Sequence, residues 1–200
     1  MFKKLLEIIR SDEFRVQLAE LNDNFFNLKQ ELHIRDLLLV LFNKYHNQEG
    51  IRAIAEYPRR KKPETLEDGR ISYTRVDLSL VDKEEKENPF KIELKYHFPK
   101  DKGGFSEYQE SIQKHFFDRG SNGFILIVCD SDKDLREKFE EKWNIDTIFP
   151  KLSKEDNIWK ENLEEKFKNT ADSQAYFFEI TVEKPFETTY HFFILEERKK

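Results

Sequence analysis

Cysteine, methionine, glycine and proline are all scarce in this chain of 200 residues, and long apolar runs are missing. The single cysteine, Cys129, excludes an intrachain disulfide and a cysteine-built zinc site. It closes an apolar run and reads as a small buried hydrophobe. No stretch nears the roughly 18 apolar residues that a membrane span needs. The opening segment MFKKLLEIIRSDEF is basic and apolar but is broken by Glu7 and Arg10. It does not read as a signal peptide, so a cytoplasmic location is expected. No glycine loop suits a phosphate, because Gly103-Gly104 is short and lacks the usual Lys-Ser/Thr. The five histidines, His33, His46, His97, His115 and His191, show no metal-ligand spacing. There is no internal repeat and no low-complexity tract.

What is present is charge and aromatic bulk. Lys and Arg number 35 against 40 Asp and Glu, a formal charge of −5. That balance argues against a wholly electrostatic nucleic-acid binder and leaves room for a local basic patch. Hydrophobic content is 38%, and 19 Phe, 7 Tyr and 2 Trp supply enough large burial units for one domain with a real core.

Periodicity divides the chain into helices and strands. Residues 2–9 and 13–21 read as short amphipathic helices, the second capped by Ser11 or Asp12, with a turn over 22–27. A stronger helix covers 29–45, with Leu32, Leu37, Leu38, Leu41 and Phe42 on its apolar face and a stop near Gly50. Residues 51–57 alternate as a strand ended by Pro58. Four cations follow, Arg59, Arg60, Lys61 and Lys62, which suit either a solvated loop or one that touches phosphate.

Further along, Ser106 and Gln109 form a capping-box pattern that opens a helix to about Asp118. The run FILIVC, 124–129, is typical of a strand buried on both faces, and strand–helix–buried strand implies a parallel crossover. Asp130, Asp132 and Asp134 do not make a calcium loop, since Leu135 stands where the sharp turn needs glycine. They read instead as the cap of a helix to about Trp143. A helix over 154–168 and two aromatic strands, 174–182 and 188–195, finish the chain. The expectation is one α/β domain: a core over about 29–130, a helical N-terminal extension over 1–28, and a C-terminal helix plus β-hairpin elaboration over 131–200.

The centre of that core is a strand pair, TRVDLSLV (74–81) and FKIELKYH (90–97), joined by a charged turn over 82–89. Alternation sets Val76, Leu78 and Leu80 on one face of the first strand, with Asp77 and Ser79 opposite. In the second, Phe90, Ile92, Leu94 and Tyr96 share a face, leaving Glu93, Lys95 and His97 on the other. Paired as a hairpin, the strands bring Asp77 close to Glu93 and Lys95. Two carboxylates and an ammonium on rigid neighbours suit a hard divalent cation and an activated water. The solvated face of an ordinary half-buried hairpin carries the same pattern. Acid-x-Lys occurs five times, beginning at Glu84, Glu93, Glu140, Glu164 and Glu197. Only Glu93–Lys95 sits inside an apolar strand that follows another strand bearing a lone Asp, and that context carries the signal.

The order helix, strand, Asp-bearing strand, Glu-x-Lys strand, helix, buried strand resembles the PD-(D/E)XK nuclease superfamily, with its restriction-endonuclease-like fold. Val76-Asp77, Glu93-Leu94-Lys95 and the following helix carry the resemblance over roughly 29–130, with Val76 in place of the motif's proline. It implies a mixed sheet flanked by helices and phosphodiester hydrolysis, endo- or exonucleolytic, dependent on Mg²⁺ (or Mn²⁺). By the resemblance, Asp77 and Glu93 are metal ligands, the Leu94 carbonyl is a further one, and Lys95 positions the attacking water. An acid completes the set, either Glu31 from the first core helix or Glu56 from the first strand. The helix glutamine of several branches matches Gln109 or Gln113, of which Gln113 lacks a capping explanation. The implied partner is nucleic acid, DNA ahead of RNA, touched by Arg59, Arg60, Lys61 and Lys62. No membrane partner is expected, and a homodimer is allowed. The rival reading is a catalytically silent nuclease-fold protein with a binding or regulatory role.

Overall fold

The computed structural model describes residues 1–58, 64–65, 71–72, 75–85, 88–100, 105–150 and 158–198. Its long strands are β1 (Ile51–Pro58), β4 (Arg75–Asp82), β5 (Phe90–His97), β6 (Gly123–Ser131), β7 (Ser173–Val182) and β8 (Thr188–Glu197). They form one mixed sheet in the order β1–β4–β5–β6–β8–β7, while β2 (Glu64–Thr65) and β3 (Ile71–Ser72) pair separately. Within the large sheet β5 and β6 run parallel and every other neighbouring pair is antiparallel. The two terminal strands thus extend the sheet beyond β6.

Helices flank both faces because β6 is apolar on both. Ile125, Ile127 and Cys129 face a core shared with α1 (Phe2–Ile9), α2 (Asp12–Phe25) and α3 (Glu31–His46). Phe124, Leu126 and Val128 face a second core with α4 (Phe105–Ile112), its π-helical extension Gln113–Asp118, and α6 (Trp159–Lys168). Helix α5 (Lys133–Trp143) follows β6 and packs Phe139 against the first core. Each large side chain so buried contributes about 1.5–3 kcal/mol before entropy is counted. At the start of β6 the packing leaves no room for a side chain. A Cβ on Gly123 would stand 3.0 Å from the Phe2 ring and 3.2 Å from the Phe90 ring.

Several local expectations need correcting. The turn expected over 22–27 is helical as far as Phe25, because Asn22 is buried and partnered. Its amide donates to the Lys184 carbonyl at 2.7 Å, and the Tyr190 hydroxyl donates to its Oδ1 at 2.7 Å. The same hydroxyl lies 2.5 Å from Gln30 Oε1, and Gln30 Nε2 donates to the Phe25 carbonyl at 3.0 Å. Helix α3 buries Ile34, Leu38, Leu41 and Phe42, while Leu32 is 55% exposed. Its phase is set by Ile34, and the apolar stripe does not include Leu32. Ser106 lies inside α4 and does not precede it. Asp132 does cap α5, accepting from the Leu135 N–H at 2.8 Å, and Gly50 adopts a left-handed φ of 80° after α3 and its 3₁₀ turn. The cations Arg59, Arg60, Lys61 and Lys62, the Gly103-Gly104 loop and the expected helix start at 154 lie outside the described residues. Among the described residues, no helix is long and apolar enough to cross a membrane.

Candidate functional site

Strands β4 and β5 are in register only from Leu80 opposite Phe90 to Leu78 opposite Ile92. Beyond Ile92, β5 keeps its register with β6 as far as His97. Its other edge therefore parts from β4, and the freed N–H and C=O groups need partners. Two carboxylates supply acceptors. Asp77 Oδ2 accepts from the Leu94 N–H at 2.8 Å, and Glu31 Oε2 accepts from the Tyr96 N–H at 2.9 Å. Glu31 Oε1 accepts from Lys95 Nζ at 3.0 Å. Lys95 leaves the strand on the face opposite Leu94 and Tyr96, yet it meets a helix packed on their face. The opening between the strands permits that reach. The Leu94 carbonyl leaves the same strand edge as its N–H, so it also borders the opening.

Charge is concentrated here. Burial raises the Asp77 carboxyl above its ordinary value, and the Leu94 N–H opposes the rise. The nearby charges of Glu93 and Glu31 push in the same direction as burial, and Lys95 pulls back. A desolvated acid beside other acids and one ammonium is the kind of environment found at chemical sites.

Glu93 itself is wholly buried, so the strand face read as solvated is covered. Its carboxylate is ion-paired with Arg119 Nη1 and lies 3.2 Å from His115 Nδ1. The His115 ring stacks on Phe124 with 6.0 Å between centroids. Neither Arg119 nor His115 was singled out by sequence reasoning, although a signal exists. Tyr108 and Ile112 are buried on the sheet side of the helix, and His115 and Arg119 continue their stripe at helical spacing. Polar residues on an apolar stripe mark a buried partner. Gln109 and Gln113 lie one position off it, exposed, and Gln113 donates to Asp118 Oδ1 at 2.6 Å. Gln113 is therefore not brought to the strand opening.

The two acids left as alternatives are separated by the fold. Glu31 stands in the opening, whereas Glu56 is exposed and pairs with Arg35 Nη1 at 2.5 Å. Glu56 holds a left-handed φ of 51° in β1, at the position the register with β4 skips between Ala55 opposite Leu78 and Tyr57 opposite Val76. His97 packs edge-on against Tyr108 at 5.6 Å and lies 3.4 Å from Ser111 Oγ. Burial, aided by Lys100 and Lys29, pulls its pKa down to about 4.

Among the described residues, no group of three or more His, Cys, Asp or Glu side chains is arranged to hold a metal ion. The donors at the opening nonetheless have the right chemistry for a hard cation: carboxylate oxygens and a backbone carbonyl. Mg²⁺ keeps several waters and takes oxygens from substrate, so it needs few protein ligands. Asp77, the Leu94 carbonyl and one further carboxylate, Glu93 or Glu31, would hold it. No family model, curated protein or solved structure matches this chain.

Proposed function

We propose that this protein is a metal-dependent nuclease acting at the β4–β5 opening, with DNA as substrate ahead of RNA. One observation carries the reading: Asp77, Glu31 and Lys95 meet where two rigid strands part, beside the Leu94 backbone. A Mg²⁺ or Mn²⁺ ion, when bound there, supplies a water of lowered pKa and offsets charge on the phosphate oxygens. The chain's own residues do the rest. Glu31, bound at once to Lys95 and the Tyr96 N–H, aims the ammonium into the opening. Lys95 orients the attacking water and contacts a non-bridging phosphate oxygen. The water oxygen bonds to phosphorus, the ester P–O bond breaks, and the leaving oxygen takes up a proton.

The second reading is a binding or regulatory protein without catalysis, and the ion pair that occupies Glu93 favours it. One experiment separates the two. Purified protein incubated with plasmid and linear DNA and Mg²⁺ or Mn²⁺ is expected to cleave it. Asp77→Ala and Lys95→Ala are each expected to lower the rate about 100-fold or more while circular dichroism stays unchanged. Cleavage that persists in both variants would remove the assigned site. Nucleic-acid binding without cleavage by the wild type would favour the silent binder.

A further inference from the structure

We propose that Arg119 is the chain's own counter-ion at the Glu93 carboxylate, and that a divalent cation entering the β4–β5 opening takes its place. This rests on the metal-dependent reading above and adds to it a positioning residue that holds one ligand until the ion arrives.

The geometry points to exchange in three ways. Glu93 has no solvent exposure, and a carboxylate so buried needs a countercharge at all times. Arg119 supplies one, yet its side chain is 38% exposed, so the guanidinium can turn to water without being stripped of it. Arg119 follows the π-helical segment and precedes Gly120, whose φ is +57° and around which a Cβ would meet nothing within 4 Å. His115, by contrast, is 6% exposed and stacked on Phe124. It stays beside Glu93 Oε2 when Arg119 leaves, and keeps the carboxylate from rotating. Glu93 immediately precedes Leu94, whose N–H is bound by Asp77 at 2.8 Å, so an ion that Asp77 holds sits beside the next residue of the same strand.

The consequence is a competition. Removing Arg119 weakens the metal-free protein and strengthens its hold on the ion. A pair that only props up the fold has the first effect and not the second. The test is Mn²⁺ titration of wild type, Arg119→Ala and Arg119→Lys, read by calorimetry and by the Mn²⁺-induced rise in Tm. Arg119→Ala is expected to melt lower than wild type without metal. It should bind Mn²⁺ on the order of tenfold more tightly and show the larger metal-induced rise. Arg119→Lys should fall between, and it carries the same test if Arg119→Ala does not fold. Adding Asp77→Asn to either variant should abolish the binding. Equal or weaker Mn²⁺ affinity in folded Arg119 variants, with wild type still binding, overturns the exchange and leaves the metal site standing. Absence of Mn²⁺ binding in every folded form overturns the site itself, and the exchange with it.

Discussion

The two halves of the central sheet are built to different ends. Between β6 and β8 the register is unbroken, from Gly123 opposite Glu196 to Ser131 opposite Thr188, and the central side chains, 124–129 and 190–195, are all buried and, His191 apart, hydrophobic. Between β4 and β5 it stops at Leu78 opposite Ile92, and the next residues on both strands are charged. In the first pair, each strand satisfies the backbone of the other. In the second, carboxylates from Asp77 and from α3 take over that task. The lesson is that an opening in a sheet can be closed by acidic side chains that take over the work of a missing strand partner. Stability is gathered on one side so that the other can be polar.

That contrast can be broken from the stable side first. Phe192→Ala, in the β8 half and 1% exposed, is expected to cost about 3–5 kcal/mol, measured by urea unfolding. A smaller loss is expected at the opening. Glu31→Ala strips the Tyr96 N–H and Lys95 of their acceptor and should cost about 1–3 kcal/mol. Glu31→Gln, which keeps an acceptor, should recover part of it. If Glu31→Ala costs as much as Phe192→Ala, the division of labour between the halves is wrong.

Next in size is a pH effect from His97. It stays neutral in the fold down to about 4, whereas in the unfolded chain it gains a proton below about 6.5. Stability is therefore lost as pH falls from 6.5 towards 4 and is untouched above that window. His191, also lowered mainly by burial, adds to the same trend, so the useful comparison is wild type against His97→Gln. Wild type should lose up to about 1.4 kcal/mol more per pH unit, read from Tm across that range. The smallest effect has the opposite sign. Asp77 carries a raised pKa in the fold, so its ionised form weakens the fold at pH values above that pKa. Asp77→Asn should raise stability at pH 7 by about 0.5–1 kcal/mol, about 1–4 °C in Tm, while divalent-ion binding is lost. A drop in Tm would show that the carboxylate serves the fold first.

Much of this architecture is legible in the sequence, and the reasons for the rest are physical. Alternation in 90–97 correctly puts Ile92, Leu94 and Tyr96 in one core, and the doubly apolar run 124–129 marks the strand buried on both faces. The parting of β4 from β5 is not legible, because alternation assigns faces and says nothing about where a ladder ends. The partners of Glu93 were hidden for a related reason. Which helix covers a strand's polar face depends on the crossover between β5 and β6, and the π-helical segment shifts helical phase within that crossover. Position 113 therefore cannot be told from position 115 as the one that reaches Glu93 by counting along the helix alone. That Glu31 stands at the opening and Glu56 does not is also not legible, since no local pattern announces the left-handed φ of Glu56.

Gln30 stands immediately before Glu31 and sits at the N-cap of α3 without capping it. Its amide is engaged instead with Tyr190, deep in the β8 half. The residue that pairs with Lys95 is thus anchored, one peptide bond away, to a strand paired along both of its edges. A hydroxyl two strands away, in the core beneath α3, helps to fix where the Lys95 ammonium points without touching it.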